Sequence, residues 1–161
     1  MSEWIGTASN ATASGATKEY PVANGVTVTS GDMVYLSGGY VTNASVAGAT
    51  LLGLVQGGES NDPSQYQNTN GNAQAATGNA QGTVTVLVIV DPSSKFIMPV
   101  SGGTLSQTNL GGRYNLTGAT GNQSVAIGAG GTQVECIATS VKGDTTRGIF
   151  IVNKHEYKVS A

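Results

Sequence analysis

Apolar residues recur along this chain with a period of two, not 3.6. Val26-Thr-Val-Thr29 alternates, and so does the start of Thr83-Val-Thr-Val-Leu-Val-Ile-Val90. In Gln133-Val-Glu-Cys-Ile-Ala-Thr139, Val134, Cys136 and Ala138 share one face of a strand. Met33–Leu36, Tyr40–Thr42, Leu51–Val55, Lys95–Met98, Tyr114–Leu116, Ser124–Ile127 and Gly148–Val152 are equally short and rich in β-branched or aromatic residues. Each is bounded by Gly, Asn, Asp, Ser or Pro, which is the pattern of strands joined by turns. No window of 12 residues carries a capped helical pattern, and the Asn and Gly of 73–82 disfavour a helix interior. The pattern predicts an all-β fold: a β-sandwich or small β-barrel of about nine to eleven short antiparallel strands.

Turns are placed more sharply. Asn24-Gly25, Asn70-Gly71, Ser30-Gly31-Asp32, Ser37-Gly38-Gly39, Ser101-Gly102-Gly103 and Lys142-Gly143-Asp144 accept the positive φ that tight turns need. Asp91-Pro92 ends the strongest strand, since Pro brings no ladder donor. Two segments read as irregular. Residues 6–17 hold no charge and no large side chain, so residues 1–19 are expected to be a flexible N-terminal arm ahead of a β-rich domain over 20–161. Residues 56–82 are rich in Gln, Asn and Gly, and they read either as a surface loop or as a break between two lobes.

Composition narrows the function. The chain has 161 residues, 24 of them Gly; 10% are charged and the net charge is −2. Seven Lys and Arg are too few for the clustered positive charge that displaces phosphate counterions, so no nucleic-acid partner is expected. No apolar run approaches 18 residues, which argues against a membrane-spanning helix. Met1-Ser2-Glu3-Trp4 lacks a basic start and an apolar core, so synthesis in the cytoplasm is expected.

Reactive chemistry is sparse. The one histidine, His155, reads as an exposed residue of a terminal strand, and Cys136 as a buried structural thiol with no basic neighbour in sequence. One His and one Cys cannot build a usual zinc site. Asp32, Asp62, Asp91 and Asp144 lack the spacing that converges oxygens on Ca²⁺ and read as turn residues. Gly128-Ala-Gly130-Gly131 fails the dinucleotide pattern, and no P-loop or nucleophile elbow is present. No catalytic residue, metal or cofactor is expected. A neutral surface of small polar residues suits a protein that packs side by side with other proteins.

Thr29-Ser-Gly-Asp-Met-Val-Tyr-Leu-Ser-Gly-Gly-Tyr-Val41, followed by Leu52-Gly-Leu-Val-Gln-Gly57, resembles the opening of tailed-bacteriophage capsid decoration (cement) proteins. Val84 to Met98, Gly103 to Gly111 and Tyr114-Asn-Leu116 are similar to the middle of such proteins, so the resemblance spans roughly residues 20–155. It implies a non-enzymatic structural protein on the outer surface of the virion capsid, often a trimer. Such a homo-oligomer bridges major capsid protein subunits and stabilises the expanded shell. The capsid-facing part is then expected in residues 1–20, with Trp4, Ile5 and Tyr20 as interface candidates, although Trp4 is equally able to pack on its own domain. The alternative is a receptor- or glycan-binding domain of a fibre or adhesin, with one of Tyr20, Tyr35, Tyr40, Tyr66, Tyr114 or Tyr157 stacking on sugars.

Overall fold

A computed structural model describes residues 3–7, 17–60, 66–67, 72–74 and 84–156, with side chains over 17–56 and 84–156. The described chain is all-β. Its strands are β1 (Glu3–Thr7), β2 (Thr17–Pro21), β3 (Thr27–Thr29), β4 (Met33–Ser37), β5 (Tyr40–Asn43), β6 (Leu51–Ser60), β7 (Tyr66–Gln67), β8 (Asn72–Gln74), β9 (Val84–Ile89), β10 (Ser94–Ser101), β11 (Arg113–Thr117), β12 (Ser124–Ala126), β13 (Val134–Ala138) and β14 (Arg147–Val152). A 3₁₀ turn, Gln107–Asn109, interrupts the long connection from β10 to β11. Every strand expected from the alternating pattern is present. Gly25, Gly31, Gly38, Gly102 and Gly143 have positive φ between strands, as the turn signals required, while Asn70-Gly71 lies outside the described residues.

Two large sheets carry the architecture. One has six strands in the order β1-β10-β12-β11-β13-β14, and β10 also pairs with β14. That extra pairing closes β10 to β14 into a five-stranded barrel, with one parallel contact between β10 and β12 (Val100 opposite Val125). The other sheet has five strands in the order β2-β9-β6-β4-β5, all antiparallel. Its two edges meet at a parallel bridge between Val22 and Val41, so this sheet also curls on itself. A small third sheet, β3-β8-β7, draws part of the expected 56–82 loop into pairing with β3. The chain passes from β9 of one large sheet to β10 of the other through residues 90–93, where Asp91-Pro92 ends β9. β6 and β9, which lie before and after the undescribed part of 56–82, are neighbours in one sheet.

The cores follow from the alternation. The barrel is filled by Phe96 and Met98, Tyr114 and Leu116, Val125, Val134 and Cys136, and Phe150 and Val152, drawn from each of its five strands. Among the described residues the curled sheet encloses Leu52 and nine valines, Val22, Val28, Val34, Val41, Val55, Val84, Val86, Val88 and Val90, with Tyr20, Val26 and Leu36 half-buried against them. Its other face gives Met33, Ala44, Leu51, Leu54 and Ile89 to the barrel core, which fuses the two units into one body. A sheet buried on both faces needs apolar residues at consecutive positions, not alternating ones.

Leu51-Leu52-Gly53-Leu54-Val55 meets that need through a bulge. Leu51 and Leu54 both face the barrel, and Leu52 and Val55 both face the valine core, so the side-chain phase slips by one residue inside the strand. The slip occurs at Gly53, where the register against β4 shifts between Val34 and Tyr35. Gly53 has φ +156°, and a Cβ placed there would lie 1.8 Å from the Ile89 carbonyl oxygen. Only glycine lets the neighbouring backbone approach this closely.

Candidate functional site

The residues expected to face a capsid fall on two different strands. Trp4 and Ile5 lie on β1, which pairs antiparallel with β10: Glu3 opposite Ile97, Trp4 opposite Phe96, Thr7 opposite Ser94, with an irregularity between Trp4 and Thr7. Tyr20 lies on β2, opposite Val86 of β9, and packs half-buried against the valine core. The structure therefore joins Trp4 with Ile5 on one strand and assigns Tyr20 to the other sheet. The arm expected over 1–19 is strand at both of its described stretches, because backbone pairing needs no large side chains; residues 8–16 lie outside the described residues.

The edge that receives β1 has a definite origin. On one side β14 covers β10 from Lys95 to Pro99. On the other, β12 is only three residues long and reaches β10 at Val100 and Ser101. The first half of that side is left for another strand, and Glu3–Thr7 takes it. Without it, the backbone N–H and C=O groups along Ser94–Ile97 would present a bare sheet edge.

Where the two units meet, three polar side chains are buried: Asp32, read from the sequence as a turn residue, and Gln123 and Gln133, which sequence reasoning did not single out. Gln123, 3% exposed, pairs with the Met33 backbone as a strand would: its Oε1 accepts from Met33 N (2.6 Å) and its Nε2 donates to Met33 O (2.8 Å). The same Nε2 donates to Asn43 Oδ1 at 3.0 Å. Asp32, 2% exposed, accepts from Thr29 N (2.9 Å) within its own turn and from Gly121 N (2.8 Å) across the junction. Thr120 adds a bond from its hydroxyl to Thr27 O (2.8 Å) and accepts from Asn43 Nδ2 (3.2 Å). Gln133, fully buried, accepts from Leu116 N (2.8 Å) and turns its Nε2 to the carbonyls of Ala44, Val46 and Ala49 at 3.1 to 3.3 Å. The signal available in sequence was a lone amide just before an apolar strand, Gln123 ahead of β12 and Gln133 ahead of β13. In a chain this rich in Gln and Asn that signal does not stand out.

The Asp32 carboxyl is pushed above the ordinary carboxylate value by burial, which outweighs the lowering effect of the Gly121 and Thr29 amides. Asp144 is exposed and held below that value by the Thr146 hydroxyl and amide, which close a local turn. Asp91 closes the same kind of turn on Ser93. Asp32, Asp91 and Asp144 are thus turn residues as expected, and Asp62 lies outside the described residues.

Cys136 is buried in the barrel, with its thiol raised by desolvation and turned to the Ala138 carbonyl at 3.5 Å. Burial of this kind keeps the sulfur protonated and unreactive. His155 is a correction: it is buried, not exposed, because the residues after β14 return to the start of β6 and His155 bridges Leu51 there. The Leu51 amide donates to Lys154 O and Leu51 O accepts from Glu156 N on either side of it. Among the described residues no cluster of three or more His, Cys, Asp or Glu side chains could hold a metal, and no helix is long and apolar enough to cross a membrane.

The arrangement built from these residues is a two-unit β body with one sheet edge completed by the Glu3–Thr7 strand. Comparison of the chain with known protein families, with curated proteins and with solved structures finds no match.

Proposed function

We propose that this chain is a decoration protein that binds the outer surface of an expanded tailed-bacteriophage capsid and stabilises the shell by bridging major capsid subunits. The observation that carries the reading is the seating of Glu3–Thr7 on β10. Strand addition is a common way for an extended segment to engage a β protein, and this fold already uses its terminal segment so. The sequence resemblance over residues 20–155 supports it. So does the buried junction of Asp32, Gln123 and Gln133, since a bridge must transmit load between its contacts without yielding.

The physical role is linkage. A ligand that binds only the expanded lattice lowers the free energy of that lattice and of no other state. Several weak contacts per homo-oligomer, a trimer in this reading, combine through effective concentration. A net charge of −2 keeps repulsion small among many copies on one shell. The chain is then made in the host cytoplasm and resides on the virion surface, with Trp4, Ile5 and Tyr20 as interface candidates.

The test is co-sedimentation of the purified protein with expanded and with precursor shells of the phage that encodes it. Retention on expanded shells alone is expected. Binding to host cells or to a glycan array, with no retention on either shell, would overturn the reading in favour of a receptor-binding domain.

A further inference from the structure

The half-edge of β10 that β12 leaves uncovered accepts one strand, Glu3–Thr7. Among the described residues, β1 pairs with β10 and with no other strand. The next strand, β2, belongs to the other sheet. Between them run residues 8–16, Ala-Ser-Asn-Ala-Thr-Ala-Ser-Gly-Ala, uncharged and without a bulky side chain. A stretch of that length spans at most about 33 Å when extended, enough to reach a slot on the same body or on an adjacent one.

We propose that the slot along Ser94–Ile97 is an exchange site for the Glu3–Thr7 strand of a second copy of this chain. A strand from a neighbour makes the same backbone bonds as the chain's own strand, so the two pairings are nearly equal in contact energy. What separates them is concentration. A tether of nine residues sets the effective concentration of the chain's own strand on the order of 1 mM. At micromolar protein each chain fills its own slot. Where copies are crowded to millimolar density the strand passes to a neighbour, and a closed ring of copies leaves no slot empty. Exchange in solution needs no capsid; its place on a shell rests on the function proposed above.

The test uses register partners as reporters. One full-length chain carries Glu3→Cys and a second, distinguished by mass, carries Ile97→Cys; Thr7→Cys with Ser94→Cys is the second pair, in case one substitution impairs folding. Cys136 stays in place because it is buried. The two chains are mixed and given a brief pulse of oxidant. With an effective concentration near 1 mM and equal amounts of the two chains, disulfide-linked heterodimer is expected to rise from about 0.5% of chains at 10 µM to about a quarter at 1 mM, since half of the exchanges are between like chains and go unlinked. A chain carrying both cysteines is expected to close on itself at 10 µM. Heterodimer no more abundant than with Lys142→Cys, an exposed position away from the slot, as the partner would overturn the proposal, and so would a double variant that fails to close. Wild-type sedimentation with expanded shells is scored separately: its failure removes the capsid and leaves concentration-dependent exchange standing.

Discussion

Replacing Gln123 with Ala tests whether the two β units are held together by a side chain that imitates a strand. The substitution strips the partner from Met33 N–H, inside the body, leaves Met33 C=O with the Ala44 amide alone, and removes one of the bonds to Asn43 Oδ1, which keeps the Ser45 amide. Each buried group left unsatisfied costs about 1–3 kcal/mol, and some of that is recovered if water enters the space vacated by the amide. With one buried group left unsatisfied, the expected loss is about 2 kcal/mol, read from urea unfolding, with a fall in Tm of about 4–8 °C for a chain of this size. The control is Gln107→Ala, on the exposed 3₁₀ turn, where a change within about 0.5 kcal/mol is expected. Gln123→Glu sharpens the test. It keeps the acceptor for Met33 N but turns a carboxylate oxygen toward Met33 O and Asn43 Oδ1, two acceptors. Burial and these neighbours raise the folded-state pKa of the new carboxyl above its unfolded value of about 4.3. A raised folded pKa means stability that is present below about pH 4.3 and lost as pH rises through the folded value. Gln123→Glu should therefore gain on Gln123→Ala as pH falls, because its protonated form again donates to Met33 O. A Gln123→Ala variant within 1 kcal/mol of wild type, or a Gln123→Glu variant with no such gain, would refute the junction as described.

Three further outcomes are expected. Gly53→Ala should lose more than about 4 kcal/mol or fail to fold, since the Ile89 carbonyl is 1.8 Å from the added Cβ. Gly48→Ala, with φ +77° but open space around it, should lose only about 1 kcal/mol in the same unfolding assay; equal losses would remove the β6 bulge as the cause. Because Asp32 has a raised folded pKa, its contribution is greatest below the ordinary carboxylate value and falls as pH rises through the folded one. Wild type should therefore lose ground to Asp32→Asn between pH 4 and neutrality in paired urea titrations, and a trend of the opposite sign would show that the Thr29 and Gly121 amides dominate over burial. In sedimentation with expanded capsids, Trp4→Ala should lower retention more than Tyr66→Ala, and equal retention would take Trp4 out of the interface.

What could be read from the sequence divides along a physical line. Strands whose side chains alternate against one core announced themselves, from Met33–Ser37 through Arg147–Val152, because burial on one face leaves a period of two. Tight turns were equally legible, since positive φ is written in Gly and Asn. The strands that escaped, Glu3–Thr7, Thr17–Pro21, Tyr66–Gln67 and Asn72–Gln74, are those formed by pairing to an edge already built elsewhere. Their backbone bonds are indifferent to side-chain pattern, so Ala-, Thr- and Asn-rich sequence around them looks like loop. The same distinction explains the junction. Gln123 and Gln133 are valuable because of backbone groups 84 to 90 residues away, and such a partner leaves no local trace. Gly53 lies between the two cases. Leu-Gly-Leu-Val was conspicuous as a motif, but its reason, a one-residue phase slip that feeds two cores from one strand, exists only once both sheets are in place. A body whose edges recruit strands without regard to side chain is suited to taking strands from other copies. The edge of β10, which takes Glu3–Thr7 in this way, is therefore where the strand exchange proposed above is to be tested.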